Sequence, residues 1–225
     1  MSEPLLREQL DYYRARAAEY DATSQPDSQS ADPRDLEANQ EWMHAMQALR
    51  SLGDQPRVLE LAGGTGRWTE VLAQMTTRLT VLDGAPEMLV INRARVNDDR
   101  VRFESVDLFD WEPGGEYDLV FFAFWLSHVP PDKLDTFMDK VQRAVCPGGQ
   151  VFIVDEPGGG QEASGPVQDG MYQQRSLLDG RVFHIVKVYY DPGEVQLRLL
   201  RRGFIPGKLE TGDYFFHLLA KRLPG

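Results

Sequence analysis

The sequence predicts an α/β protein built on a mainly parallel sheet with helices on both faces. Two observations carry that expectation. Between residues 57 and 155, short apolar runs alternate with longer amphipathic stretches, the pattern of successive strand–helix units. After residue 170 the pattern changes to paired short runs around turn residues, which adds antiparallel strands at the end of the chain. At 225 residues, with 42% hydrophobic and 26% charged side chains, the chain is long enough to bury a core without disulfide or metal support.

Taken in order, Leu6, Leu10, Tyr13, Ala17 and Tyr20 recur at helical spacing and predict an amphipathic first helix. Residues 22–34 are rich in Ser, Gln, Asp and Pro and have no apolar period, so they read as a mobile connection. A second helix is expected over 35–52, with Trp42, Met46 and Leu49 on its buried side. Strands are predicted over 57–61, 79–82, 101–106, 118–122 and 151–155. Helices are predicted over 67–75, 86–96 and 132–145, the last closed by Pro147-Gly148-Gly149. A Gly-rich loop follows over 156–170, and then 175–178 and 182–190 flank Asp179-Gly180, a hairpin signal. A helix over 192–202 has Pro192 near its start and Gly203 beyond its end. Two last strands, near 208–210 and 214–221, flank residues 211–213. This order divides the chain into an N-terminal helical lid, residues 1–52, and an α/β domain, residues 53–225, with a hairpin insertion at about 171–190.

The formal charge of −11 argues against a general nucleic-acid binder. Arg198, Arg201 and Arg202 form a small basic cluster that reads as a solvated helix face. The single cysteine, Cys146, excludes an internal disulfide framework and a cysteine-rich zinc site, so no metal is expected. No apolar run approaches the ~20 residues that span a bilayer, and the N-terminus lacks a signal-peptide apolar core. A cytoplasmic protein without a membrane partner is the expectation.

The most informative stretch is Val58-Leu59-Glu60-Leu61-Ala62-Gly63-Gly64-Thr65-Gly66. A strand, a glycine turn and a helix start bring backbone N–H groups close to a small ligand. Glu60 would repel a pyrophosphate but suits a cationic ligand. A dinucleotide fingerprint needs a small third residue where this chain has Thr69, and no Gly-Lys-Ser/Thr follows to make a P-loop.

These residues resemble the first motif of the class I S-adenosylmethionine-dependent methyltransferases, with Ala62 standing at the usual first glycine. The resemblance extends from about Tyr12 to the C-terminus. It implies a Rossmann-like, seven-stranded, mostly parallel sheet with a reversed last strand, and S-adenosyl-L-methionine as methyl donor, leaving S-adenosyl-L-homocysteine as product. By the resemblance, Glu60, Ala62, Gly64 and Gly66 form the methionine end of the site. Asp83, followed by Gly84, takes the ribose hydroxyls, because a carboxylate accepts two hydrogen bonds from a vicinal diol. Met88 walls the adenine, and Asp107 with Leu108 meets its ring edge. Phe124 follows the fourth strand. In related enzymes a tyrosine from a segment like Tyr12–Asp21 closes over the cofactor, which implicates Tyr13 and Tyr20.

The pocket is expected at the carboxyl ends of the strands. His128 is the first candidate for a catalytic base, with a structural, helix-capping histidine as the equal alternative. Trp125, Asp155, Tyr172, Arg175 and His184 are candidate acceptor contacts, although loop capping or packing explains each of them as well. Phe122, Phe124, Trp125, Tyr172 and Tyr190 could line an aromatic cavity. After the fourth strand the chain reads Phe121-Phe122-Ala123-Phe124 rather than Asn/Asp-Pro-Pro-Tyr, which with the negative charge argues against DNA. A small, partly apolar molecule methylated on O, N or C, of the kind used in specialised metabolism, is the favoured acceptor. An RNA or protein substrate, or a cofactor-binding role without methyl transfer, remains the alternative. The chain is expected to act as a monomer or homodimer.

Overall fold

The computed structural model describes residues 3–24, 32–158 and 171–224. Seven strands form one sheet: β1 (Val58–Leu61), β2 (Leu79–Asp83), β3 (Val101–Ser105), β4 (Tyr117–Ala123), β5 (Val145–Asp155), and two late strands over Phe204–Thr211 and Phe216–Arg222. A separate pair, β6 (Tyr172–Ser176) and β7 (Val182–Val186), makes a two-stranded antiparallel sheet, so the late strands are β8 and β9. The order across the large sheet is β3-β2-β1-β4-β5-β9-β8. β9 runs antiparallel to both neighbours and is therefore the reversed last strand.

Both faces of this sheet are covered, which is why its central strands are continuously apolar. Along β4, Val120 and Phe122 enter one core with Phe137 of α6 (Pro131–Ala144) and Leu199 of α7 (Pro192–Arg201). Leu119 and Phe121 enter the other, with Leu49 of α3 (Pro33–Arg50) and Trp68 and Leu72 of α4 (Arg67–Met75). Phe122 is thus a core residue, and Tyr190 is partly buried against the same core, its hydroxyl donating to the Val129 carbonyl at 2.7 Å. Neither lines an aromatic cavity.

Elements differ from expectation where backbone irregularities sit. β5 begins at Val145 because Cys146–Gly149 is absorbed as a register shift between Tyr117 and Leu119, not as a helix-closing turn. Gly149 is required there, since a Cβ would lie 3.0 Å from the Tyr117 carbonyl oxygen. β8 likewise starts at Phe204 and tolerates Pro206 through a shift, as an edge strand can. α3 starts at Pro33 because the Asp32 side chain caps the Arg34 N–H.

The N-terminal helix α1 (Glu3–Arg16) continues through a short 3-10 turn into α2 (Tyr20–Thr23). Its most buried residues are Gln9 and Tyr12, outside the expected stripe. The helix is gripped from two sides. Tyr12 packs on Leu177 and Ile185 of the hairpin, while Leu10, Tyr13 and Tyr20 pack on Ala85 and on Met88 of α5 (Pro86–Val96). On the far side of the sheet's carboxyl ends, Glu41 of α3 accepts hydrogen bonds from the backbone N–H groups of Asp213, Tyr214 and Phe215 at 2.8, 2.9 and 2.8 Å. The Gly-rich loop and mobile connection expected from sequence fall largely on residues 159–170 and 25–31, outside the described residues.

Candidate active site

The glycine turn is held from beneath by buried polar side chains. Asn92 of α5 donates to the Gly63 carbonyl at 3.1 Å and to Thr69 Oγ1 at 2.9 Å. Thr69 Oγ1 in turn donates to Glu60 Oε2 at 2.6 Å. A Cβ on Gly66 would stand 2.5 Å from Asn92 Oδ1, so the close approach itself demands glycine. Ala62 adopts φ +55°, the left-handed conformation its glycine counterpart would take without strain. Glu60 is 2% exposed, and burial pushes its carboxyl up to about 8. It lies under the turn rather than in the cavity lining, so its contact is Thr69 and not the ligand space.

Above the turn lies a cavity with about 720 Å³ of empty space, counting the open solvent at its mouth. Ala62, Gly64, Asp83, Gly84, Met88, Asp107, Leu108, Phe124, Trp125 and His128 line it, and Leu6, Gln9, Leu10, Tyr13 and Tyr20 roof it. The structure therefore brings together most of the residues singled out for the cofactor, and Gly66 lines the adjoining cavity. Asp83 Oδ2 accepts from the Gly64 N–H and Oδ1 from the Ala85 N–H, both at 2.8 Å. Burial nevertheless raises its carboxyl to about 6. Each oxygen retains a lone pair, so the chemistry of the group fits a ribose diol. A side chain at Gly64 would meet nothing within 4 Å, as expected of backbone that faces ligand space. Asp107 Oδ1 accepts from the Phe109 N–H at 2.8 Å.

The second cavity shares Tyr13, Tyr20, Gly64, Phe124 and His128 with the first and extends towards Arg175, Lys187, Trp42 and Phe215. His128 is 7% exposed. Its Nδ1 lies 2.7 Å from the Val186 carbonyl, which only accepts, so Nδ1 carries the proton. Nε2 then accepts from the Tyr13 hydroxyl at 2.8 Å. Burial, with the nearby Lys187 charge, holds the ring well below its ordinary pKa and keeps it neutral. Burial also holds the Tyr13 phenol protonated, well above its ordinary value.

Lys187, 2% exposed, donates to Ser127 Oγ at 3.1 Å and pairs with Glu156 at 2.9 Å. Arg175 makes no ion pair with a described carboxylate, and its Nε is buried without a hydrogen-bond partner. Asp155 lines neither cavity. Its carboxylate accepts from the Ser127 and Glu156 N–H groups at 3.0 and 2.8 Å, so it braces the loop that carries His128. Tyr172 also lies outside both linings. His184 is exposed and points to Glu8, which takes both its N–H and Nδ1, tying the hairpin to α1. Gln9, Asn92 and Lys187 were not legible as site residues. Gln9 links the Val186 N–H to the His128 carbonyl, a bridge between parts of the chain far apart in sequence. Among the described residues no group of three His, Cys, Asp or Glu is arranged to hold a metal, and no helix is long and apolar enough to cross a membrane.

This architecture matches known proteins. Residues 58–149 match the family described as a methyltransferase domain. DhpI, solved with SAH, is 38% identical and aligns over all of both chains with a TM-score of 0.82. Its SAM–HEP complex aligns over 99% of each chain with the same score. The demethylmenaquinone methyltransferase of Clavibacter sepedonicus is 32% identical over 101 residues, 44% of this chain and 40% of that protein. The ubiquinone biosynthesis O-methyltransferase of Xanthomonas oryzae pv. oryzae (strain PXO99A) is 30% identical over 101 residues, 43% of this chain and 41% of that one. The chain thus spans about two fifths of the length of these two relatives. With a full-length relative of this identity, a glycine turn between β1 and α4 and a reversed β9, the chain belongs to the class I S-adenosylmethionine-dependent methyltransferases.

Proposed function

We propose that this enzyme methylates an oxygen of a small acceptor bearing a carboxylate or phosphoryl group. The observation that carries the reading is Arg175, whose guanidinium pairs with no carboxylate among the described residues and whose buried Nε has no partner among them, in the cavity that also holds Tyr13, His128 and Lys187. An arginine fork suits a planar or tetrahedral oxyanion. DhpI, the 38% identical relative, was solved with HEP beside SAM, which supports a second small-molecule site in this architecture.

S-adenosylmethionine supplies a methyl group on a sulfonium, already activated for in-line displacement. The chain's own residues bind, orient and exclude water. Asp83 and Asp107 hold the nucleoside, and the residues 1–52 act as a lid whose Tyr13 and Tyr20 roof the methionine end. An acceptor oxygen that is already anionic needs no general base. That agrees with His128, whose burial makes it a weak base and whose Nε2 is engaged by Tyr13. His128 then serves to hold the Tyr13 hydroxyl by accepting its one proton.

The quinone-pathway names of the partial relatives favour a second reading, a phenolic acceptor. The wall of Trp42, Phe124 and Phe215, with Trp42 and Phe124 stacked at 5.5 Å, is the feature that would take its ring. Methyl transfer from labelled cofactor to a panel of small carboxylates, phosphoryl compounds, phenols and amines separates the two. Turnover of anionic acceptors, with KM raised about thirtyfold or more in Arg175→Met, is expected from the loss of one charge-assisted contact. Turnover of neutral phenols alone, unaffected by Arg175→Met, would overturn the first reading.

A further inference from the structure

The cover over the cofactor cavity, held to the hairpin by α1, meets the glycine turn through Asp21. Tyr20 roofs the cavity, and the next residue, Asp21, turns away from it towards the glycine turn. Thr65 lies between Gly64 and Gly66, and its hydroxyl donates to Asp21 Oδ1 at 2.6 Å. Arg95 of α5 pairs with Asp21 Oδ2, and Arg67, the first residue of α4, stands 3.6 Å from Oδ1. One carboxylate of the cover therefore meets the glycine turn and the two helices that flank it. All three charged side chains are one quarter to one third exposed, so water screens the contact only in part.

The cover is also stiff around this contact. Arg16 donates to Thr23 Oγ1 at 3.0 Å and to Ser24 Oγ at 2.8 Å, and its guanidinium lies 4.9 Å from the centre of the Tyr20 ring. Residues 16–24 are thus a folded unit, and what holds Asp21 holds Tyr20 as well. Thr65 is the reciprocal half. It belongs to the turn whose Gly64 N–H is bonded to Asp83, so the cover is anchored to the same few residues that shape the nucleoside site.

We propose that Asp21 is a positioning residue that latches the N-terminal cover to the glycine turn and thereby sets how tightly the cofactor is held. The inference rests on the reading of residues 1–52 as a lid. It makes Asp21 a determinant of cofactor and product release, although it touches neither.

The test measures S-adenosyl-L-homocysteine binding by calorimetry, and hydrogen exchange with and without that ligand, on the full chain. The expected result is a Kd raised about ten- to hundredfold in Asp21→Ala, the range for a lost hydrogen-bonded charge, with a smaller rise in Asp21→Asn. Thr65→Val should weaken binding in the native background and add nothing in Asp21→Ala, because each removes the same contact. In the ligand-bound Asp21→Ala protein, residues 3–24 should exchange faster while the sheet keeps its native protection. A Kd within twofold of native overturns the latch, and so does faster exchange across the whole sheet, which would mark a general loss of stability. If residues 3–24 of the native protein exchange equally with and without ligand, the lid reading itself fails. If the native cover is protected and Asp21→Ala keeps that protection, the latch fails alone.

Discussion

The two walls of the cavity are built in opposite ways. The cofactor wall comes from the ends of β1, β2 and β3 and the turns just after them, so its groups follow one another along the chain. The acceptor wall joins α1 to the hairpin and to the loop after β4. Its contacts, such as Tyr13 with His128 or Gln9 with Val186, span more than a hundred residues. The first wall is stiffened by buried hydrogen bonds from α4 and α5 to the end of β1 and its glycine turn. The second is assembled only when separate parts of the fold dock. On the proposed reading, recognition of the donor is local, and recognition of the acceptor depends on tertiary packing.

The sharpest way to break this division is Asp83→Ala. Loss of a carboxylate that takes two charge-assisted hydrogen bonds should weaken S-adenosyl-L-homocysteine at least about a hundredfold, read by calorimetry. In the native protein the same affinity should be full above pH 7 and fall as the pH drops through about 6, where this raised carboxyl takes up a proton. A loss under fivefold, or affinity level down to pH 5, would remove Asp83 from the donor wall.

His128→Ala should act on the other wall. It frees the Tyr13 hydroxyl, and kcat should fall about tenfold, the cost of one lost hydrogen bond with poorer alignment. The pH profile of kcat should keep its native shape. If the native enzyme shows a limb that the variant lacks, His128 is a base after all.

These outcomes bear on what the sequence could disclose. The order of strands and helices was legible because both faces of the sheet are buried and the turns after β1, β2 and β3 carry Gly or Pro. Most of the residues expected to hold the donor share one cavity lining because each sits at a fixed offset from a strand end. Glu60 was legible as a residue of the site but not in its contact. Its neighbour Thr69 lies one helical turn into α4, and no spacing rule distinguishes a carboxylate above the turn from one beneath it. Asn92 was invisible, because a polar residue in an amphipathic helix reads as solvated until the turn packs over it. Tyr172 and His184 pointed to the right hairpin but to its wrong positions. Arg175, also named from the sequence, does line the second cavity from β6, whereas Lys187 joins it from just beyond β7 because of how α1 crosses the hairpin, and that angle is not written in either strand.

A smaller effect sharpens the description of the donor wall. Glu60 ionises near pH 8 in the folded chain, against an ordinary value near 4.5. The stability this gives is complete below the ordinary value and is lost as the pH rises towards 8. The melting temperature of the native apoprotein should therefore drop by a few degrees between pH 6 and 9. Glu60→Gln should flatten that drop. Equal slopes in both proteins would mean that Glu60 is ionised under the turn.

The grip of Glu41 on three successive backbone N–H groups has a practical consequence. Residues 213–215 are held by their main chain, and Tyr214 and Phe215 both line the second cavity, Phe215 packed on Trp42 and Phe124 as well. These two positions are natural targets for a substitution library. On the proposed reading the acceptor range is retuned there with the main-chain grip of Glu41 kept, most cleanly at Tyr214, since Phe215 also touches Phe124 of the donor wall.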